Sequence, residues 1–238
     1  VTRTDRIVLS AAAVWTVAVV ALTFAMKGRT DDTLTRSAVI AVLAVDVVAA
    51  LATRRRWPND EPGSAASFSV RTVLARWVGP CAVRAAIVEL CYMPSRPLYE
   101  SLRWLPEDGA QVRATKAAID VGLTAPVYVV VFGVLWLMIR RAKIPVWYAI
   151  LVLPFAQALG DGNAFFLANP AMLLMSPYVV LNYVACQLVP YLRVRGALPT
   201  EPRARPWQLV MPIVVVPIVY FISGATLILV GRALGLRG

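Results

Sequence analysis

The sequence predicts an all-α, polytopic integral membrane protein with seven transmembrane helices, a single domain over residues 1–238. Three observations predict it. The chain is 59% hydrophobic with a mean hydropathy of +0.69, against roughly 45–50% apolar residues in soluble domains. The apolar residues gather in runs close to the roughly 20 that a helix needs to cross a bilayer. The basic residues of this +11 chain stand in short clusters between those runs, as in TRRRW (53–57), IRRAK (139–143) and YLRVRG (191–196). Clusters in that position anchor loops at a membrane surface. Aromatic-rich basic stretches are absent, so the charge points to lipid and not to nucleic acid.

The first run, 7–26, follows Arg3 and Arg6. It is longer than a signal-peptide core and lacks a small-x-small cleavage site, so it reads as a span. The second, 37–53, is short and carries Asp46. The linker WPNDEPGSAASFS (57–69), rich in Pro, Gly, Ser and charge, leads into the third, 71–93, which contains Arg76, Arg84 and Glu89. The fourth, 115–139, carries Asp120. The fifth and sixth, 146–168 and 170–191, nearly touch at LANP, where Pro170 favours a turn and a new helix start. An arginine-rich loop, 192–206, precedes the seventh, 207–231. There is no internal repeat. With this order, thirteen Lys and Arg flank the spans on the amino-terminal side of the membrane and nine, Arg36 among them, on the other. The excess predicts a cytoplasmic amino terminus in a cell membrane.

Four acids fall inside the spans: Asp46, Glu89, Asp120 and Asp161. An ionised carboxylate at membrane depth costs several kcal/mol unless it is paired, wet or neutral. Asp46 is placed to pair with Arg84. Alternating helix direction sets Glu89, Asp120 and Asp161 toward one membrane face, beside the 94–114 loop, so they are expected to converge on one pocket. Around Glu89 the same face reads Ala82, Ala85, Ala86, then Tyr92 and Met93. Small residues there leave room for a ligand or let another helix approach. Asp120 shares its face with Thr124 and Tyr128, and Asp161 shares its face with Gln157 and is followed by Asn163. Tyr178, Asn182 and Cys186 recur at spacings of four. The competing readings are structural: Asp120 as an acid near a helix start, Asp161 as the satisfier of a kink in LGDGN, and Glu89 as the partner of Arg96.

The chain contains no histidine. Haem ligation by His, His-box iron, zincin sites and Ser-His or Cys-His triads are thereby excluded. Cys81, Cys91 and Cys186 have neither disulfide-framework nor zinc spacing. Neither a metal nor a cofactor is implied, and acid–base work falls to carboxylates, Tyr, Lys or Cys.

Residues 71–197 resemble the small membrane-integrated terpene cyclases that make fungal meroterpenoids and indole diterpenes, with bacterial relatives that make indole sesquiterpenes. The resemblance rests on AAIVELCYMPSRP (85–97), AAIDVGLTAPVYVVVFG (117–133), AMLLMSPYVV (171–180) and YLRVRG. It implies a seven-helix bundle, an isoprenoid-bearing substrate and the family's acid at Glu89, with Asp120 in the next motif. Two departures stand out: Val88 occupies the usual tryptophan position, and the last helix lacks the acid that fungal members carry there. Asp120 and Asp161 are the substitutes on offer.

The implied reaction begins when a buried carboxylic acid protonates an alkene or epoxide, and it ends when a second group takes a proton. Desolvation and a neighbouring carboxylate keep such an acid neutral, and aromatic faces stabilise the carbocation. Glu89 is the expected donor, Asp120 or Asp161 its partner. Tyr92, Thr124, Tyr128, Gln157, Asn163, Tyr178 and Asn182 are the expected substrate-binding residues. A farnesyl-type chain on an indole or other aromatic acceptor is the expected substrate. Two rival classes are a transporter or small-molecule-binding protein whose acids read a cation, and a partner subunit with structural ion pairs only. A transporter carries repeats and broken helices.

Overall fold

A computed structural model describes residues 2–57, 60–163, 165–201 and 203–236. Pro58 and Asn59 of the predicted linker, and Arg237 of the predicted charge balance, lie outside them. Every regular element among the described residues is a helix, and the one β-type pairing is an isolated bridge between Lys143 and Arg203. Helix α1 is Arg3–Lys27 and α2 is Asp31–Ala52. A reciprocal cap starts α1: the Thr2 hydroxyl accepts from the Asp5 amide at 3.1 Å, and the Asp5 carboxylate accepts from the Thr2 amide at 2.7 Å. Thr30 and Thr33 begin α2 in the same way.

Helix α3 (70–92) joins Val70–Val73, a wide π turn at Leu74–Val78, and Gly79–Tyr92. The widening has a local cause. Pro80 has no N–H to return to the preceding turn, and the Gly79 amide bonds back to the Leu74 carbonyl. Helix α4 is Ala110–Ile139. Helix α5 (148–163) starts as a wide turn ahead of Pro154, is regular over Leu153–Ala158, and breaks in Leu159–Asn163. Two short helices follow, Phe165–Ala168 and Pro170–Met175, the second capped by the Asn169 side chain as the proline position predicts. Helices α6, Pro177–Val194, and α7, Pro206–Ala233, complete the chain.

Four of these, α1, α2, α4 and α7, are long and apolar enough to cross a membrane. Val14, Val17, Leu22, Val45, Val48, Ile218, Phe221 and Leu229 stand exposed on them. That much open apolar surface suits a hydrocarbon surrounding. The predicted spans 71–93, 146–168 and 170–191 are helical but interrupted, for which Pro80, Pro154, Gly162 and Pro177 give the reasons. The second predicted span starts six residues early, so that Arg36, expected in a loop, lies inside α2.

Helices α3, α4, α7, α5 and α6 pack successively and close when α6 meets α3, while α2 lies against α3 and α6. The core holds Trp77, Cys81, Val88, Phe132, Trp136, Leu153 and Val189. Asp46 and Arg84 pair across α2 and α3, Nε to Oδ2 at 2.5 Å and Nη2 to Oδ1 at 2.7 Å. The sequence expectation for this pair holds. The loop after α3 folds over its carbonyl end, with the Trp104 amide on the Met93 carbonyl at 3.0 Å and the Arg96 amide on Tyr92 at 2.8 Å. Asp108 ties it down by accepting from the Leu105 amide at 2.9 Å and from Lys116 at 2.7 Å. That backbone bond, with Lys116 beside it, holds the Asp108 carboxyl below the usual aspartate range.

Candidate active site

Inside the ring of helices lies a cavity of about 640 Å³, within the roughly 300–1,000 Å³ of small-molecule sites. Glu89 projects into it from α3, with the small Ala85 one turn before it on the same wall. The Tyr128 hydroxyl, from α4, donates to Glu89 Oε1. The other oxygen, Oε2, takes no hydrogen bond from the described residues. Arg96 borders the cavity but makes no ion pair with Glu89, so the acid is held by a neutral group and not by a cation.

Asp161 reaches the same cavity from the break in α5. Asp161 (φ −88°, ψ 42°) and Gly162 (φ 80°, ψ 3°) leave helical geometry together, and the left-handed φ at 162 is one that glycine adopts without strain. The freed carbonyls are served by Asn163, whose side-chain N–H groups reach Ala158 O at 3.0 Å and Asp161 O at 3.1 Å. The Asp161 carboxylate is therefore not spent on the kink. It accepts from the Tyr183 hydroxyl of α6 at 2.5 Å. Gly160 brings α7 close: a Cβ there would meet Tyr220 Cβ at 2.6 Å and Pro217 Cα at 2.9 Å. Tyr220 is thereby set on the wall beside Asp161, within reach of its charge. Phe132, stacked on Tyr128 at 6.4 Å between centroids, adds a further aromatic face.

Most of the expected residues meet here. Glu89, Asp161, Tyr92, Thr124, Tyr128, Gln157, Asn163 and Asn182 all border the cavity. Gln157 is fully buried, its amide nitrogen on Gln187 Oε1 at 3.0 Å, and its own carbonyl oxygen has no partner among the described residues. Two expectations are corrected.

Asp120 does not line the cavity. It is wholly buried beside the Leu98 backbone and Tyr99, and neither carboxylate oxygen has a hydrogen-bond partner among the described residues. The reason is helical drift: four residues turn a helix by about 400°, so Asp120 lies about 80° round from Tyr128. Thr124, between them, still reaches the wall. Tyr178 also stands off the wall. Its ring lies under the Arg36 guanidinium, 4.4 Å from centroid to Cζ, and its hydroxyl donates to Asp32 at 3.2 Å.

The cavity residues that were not foreseen include Arg36, Phe132, Tyr183 and Tyr220. Arg36 reads as a loop charge until α2 is seen to begin at Asp31. Tyr220 sits in the most uniformly apolar run of the chain, where nothing marks one face from another. Tyr183 follows Asn182 directly, and only the break at Gly162 turns Asp161 toward it.

No family model, curated protein or solved structure matches the chain. The functional reading therefore rests on the residues and their geometry.

Proposed function

We propose that the chain is a membrane-embedded terpene cyclase that starts cyclisation by protonating its substrate. In this reading it crosses the bilayer seven times, with α3, α5 and α6 as interrupted spans and the amino terminus on the cytoplasmic side. The substrate is a farnesyl-type chain on an indole or other aromatic acceptor. The observation that carries the proposal is the meeting of two carboxyl groups, Glu89 and Asp161, in one cavity. Each is held by a tyrosine hydroxyl and walled by aromatic rings.

The roles follow from which atoms are free. Tyr128 fixes Oε1 of Glu89 and leaves Oε2 to carry the proton into the cavity. The Glu89 O–H bond breaks as a C–H bond forms at the distal alkene, or as an epoxide oxygen is protonated and its C–O bond opens. The cation is trapped by successive alkenes of the folded chain while Phe132, Tyr183 and Tyr220 present ring faces to it. Asp161 then takes a proton from the last cation, and the C–H electron pair becomes the product alkene. Return of that proton to Glu89 resets the site. Substrate and product are isomers, so nothing else is consumed. Asp120, buried behind the wall but close enough for its charge to act on Glu89, is a tuning group in this scheme.

Membranes containing the protein, incubated in deuterium oxide with farnesylated indole and its distal epoxide, test the proposal. A cyclised product is expected, carrying one solvent deuterium on carbon when the alkene is the substrate. No cyclised product from either substrate would defeat the reading, as would an alkene-derived product without deuterium.

A second reading has one observation in its favour. The break at Asp161 and Gly162 is the kind of discontinuity that transporters use to present a site. Concentrative uptake of a cation by vesicles containing the protein, abolished by Asp161→Asn, would select it.

A further inference from the structure

The cavity has a second pole that the proton chemistry does not use. Arg36 is 3% exposed and borders the cavity. Its Nη1 donates to Asn182 Oδ1, its Nη2 donates to the Tyr92 hydroxyl at 2.8 Å, and its plane lies over the Tyr178 ring. Among the described residues its Nε–H has no partner, and no carboxylate lies within ion-pair distance. Arg84, one helix away, shows the alternative: that partly buried guanidinium is clasped in two places by Asp46. Arg36 is instead bonded by neutral partners, which fix its direction, and Asp32 acts on it only through space.

The surroundings add further donors, and one acid, Asp32, borders the same part of the cavity. The Tyr92 oxygen also accepts from Asn182 Nδ2 at 2.6 Å. With both its acceptances taken by Arg36 and Asn182, the Tyr92 O–H proton is uncommitted on the cavity wall. Arg96 borders the same region, and no acid pairs with it among the described residues. Asp32 is the nearby acid, and its Oδ2 is occupied by Lys27 at 2.6 Å and by the Tyr178 hydroxyl. A buried cation left in this way is costly unless something brings a negative charge to it.

Resting on the cyclase reading, we infer that Arg36, Tyr92 and Arg96 form an oxyanion subsite for the head of an isoprenoid ligand, phosphate or carboxylate. Guanidinium and phenol donors suit either oxyanion, and charge-assisted bonds of this kind are the stronger class. Tyr92 lies three residues, one helical turn, beyond Glu89 on α3. A head bound at Arg36 therefore leaves the chain to fold back toward the acids, with its distal alkene near Oε2. With the aromatic acceptor proposed above such a ligand is a prenylated aromatic carboxylic acid; a prenyl phosphate would keep the isoprenoid chain and replace that acceptor.

Binding to the full-length protein decides this without catalysis. The probes are farnesyl phosphate, a farnesylated aromatic carboxylate and neutral farnesylindole, each with the distal alkene reduced so that no cyclisation can start. Affinities are measured in nanodiscs of zwitterionic lipid, which removes anionic headgroups as a source of oxyanion. The expected result is that at least one anionic probe binds about ten- to a hundredfold tighter than the neutral one. Arg36→Gln should erase that preference while leaving the neutral probe's affinity within about threefold, and the tighter anionic arm names the head group. Equal affinities for all three probes would overturn the subsite, as would an anionic preference that survives both Arg36→Gln and Arg96→Gln. If Arg36→Gln does not fold, Arg96→Gln and the wild-type comparison still decide. An anionic preference in a protein that cyclises nothing would retain the subsite and reject the cyclase.

Discussion

Replacing Glu89 with Gln removes one proton from the cavity and little else. The glutamine carbonyl can still accept the Tyr128 hydroxyl that now reaches Oε1, and its NH₂ group takes the place of Oε2. Shape and packing against α4 are preserved, so the fold should survive with a thermal midpoint within a few degrees of the parent. Turnover should not survive. A positioned general acid contributes roughly 10²–10⁴ in rate, and here it also creates the reactive cation, so the upper end applies. A loss of three to four decades corresponds to about 4–6 kcal/mol of transition-state stabilisation. The assay is product formation in deuterium oxide from membranes matched for folded protein, with binding of an alkene-reduced probe as the control for an intact cavity. Near-normal cyclisation by well-folded Glu89→Gln would refute the assignment and move the donor to Asp161. Loss of expression with undiminished specific activity in the remainder would identify Glu89 as structural.

Asp161→Asn keeps the hydrogen bond from Tyr183 and removes the terminal base. Turnover should fall by about ten- to a hundredfold, with products diverted to alcohols by water capture, which product analysis would reveal. Gly160→Ala pushes a Cβ into Tyr220 and the Pro217 backbone, a steric cost of about 1–3 kcal/mol. A lowered thermal midpoint together with lost activity is expected, and an unchanged midpoint would contradict the contact. Arg84→Ala leaves Asp46 alone among helices and should cost about 3–5 kcal/mol, whereas Asp46→Leu with Arg84→Met should recover most of it; thermal unfolding in detergent checks both. Because the Leu105 amide and Lys116 depress the Asp108 pKa, its contribution to the 94–109 loop is present above the ordinary aspartate value of 3.8. It is lost as pH falls through the lower folded value. Hydrogen exchange in the loop should therefore rise only below about pH 3.8, and Asp108→Asn should show that faster exchange already at neutral pH.

The helices and the meeting of Glu89 with Asp161 were legible because hydropathy and the alternating direction of successive helices are one-dimensional properties of a chain. Asp46 with Arg84, and Glu89 with Asp161, could be placed from them alone. Which way a side chain faces is a different quantity, and it failed where small angular errors accumulate. Asp120 is two steps of four residues from Tyr128, enough to carry it behind the wall. Tyr178 is one such step from Asn182 and is diverted onto Arg36. The break in α5 was marked by its two glycines, but its consequence was not. Asn163 satisfies the kink and releases Asp161, a division of labour that depends on backbone angles at residues 161 and 162. Arg36 was obscured by a helix start misplaced by six residues, which turned a cavity residue into a loop charge.

The four acids within the predicted spans, Asp46, Glu89, Asp120 and Asp161, show how the same chemical group is given different work by its partner. Asp46 faces a guanidinium through two short bonds, so both of its oxygens are spent on Arg84. Asp120 has no hydrogen-bond partner among the described residues and is buried beside Leu98 and Tyr99, off the cavity wall, so in this scheme it acts on the chemistry only through its field. Glu89 and Asp161 each face a phenol. A phenol donates one hydrogen bond, fixes one carboxyl oxygen and adds no formal charge, so the second oxygen stays free to gain or lose a proton. It also offers a ring face on the same wall. Tyr128 and Tyr183 thus do for these acids what a cation could not: they orient the carboxyl group without deciding its charge. Glu89 with Tyr128, set against Asp46 with Arg84, is the comparison that most favours catalysis at this site over an ion pair that merely holds helices together.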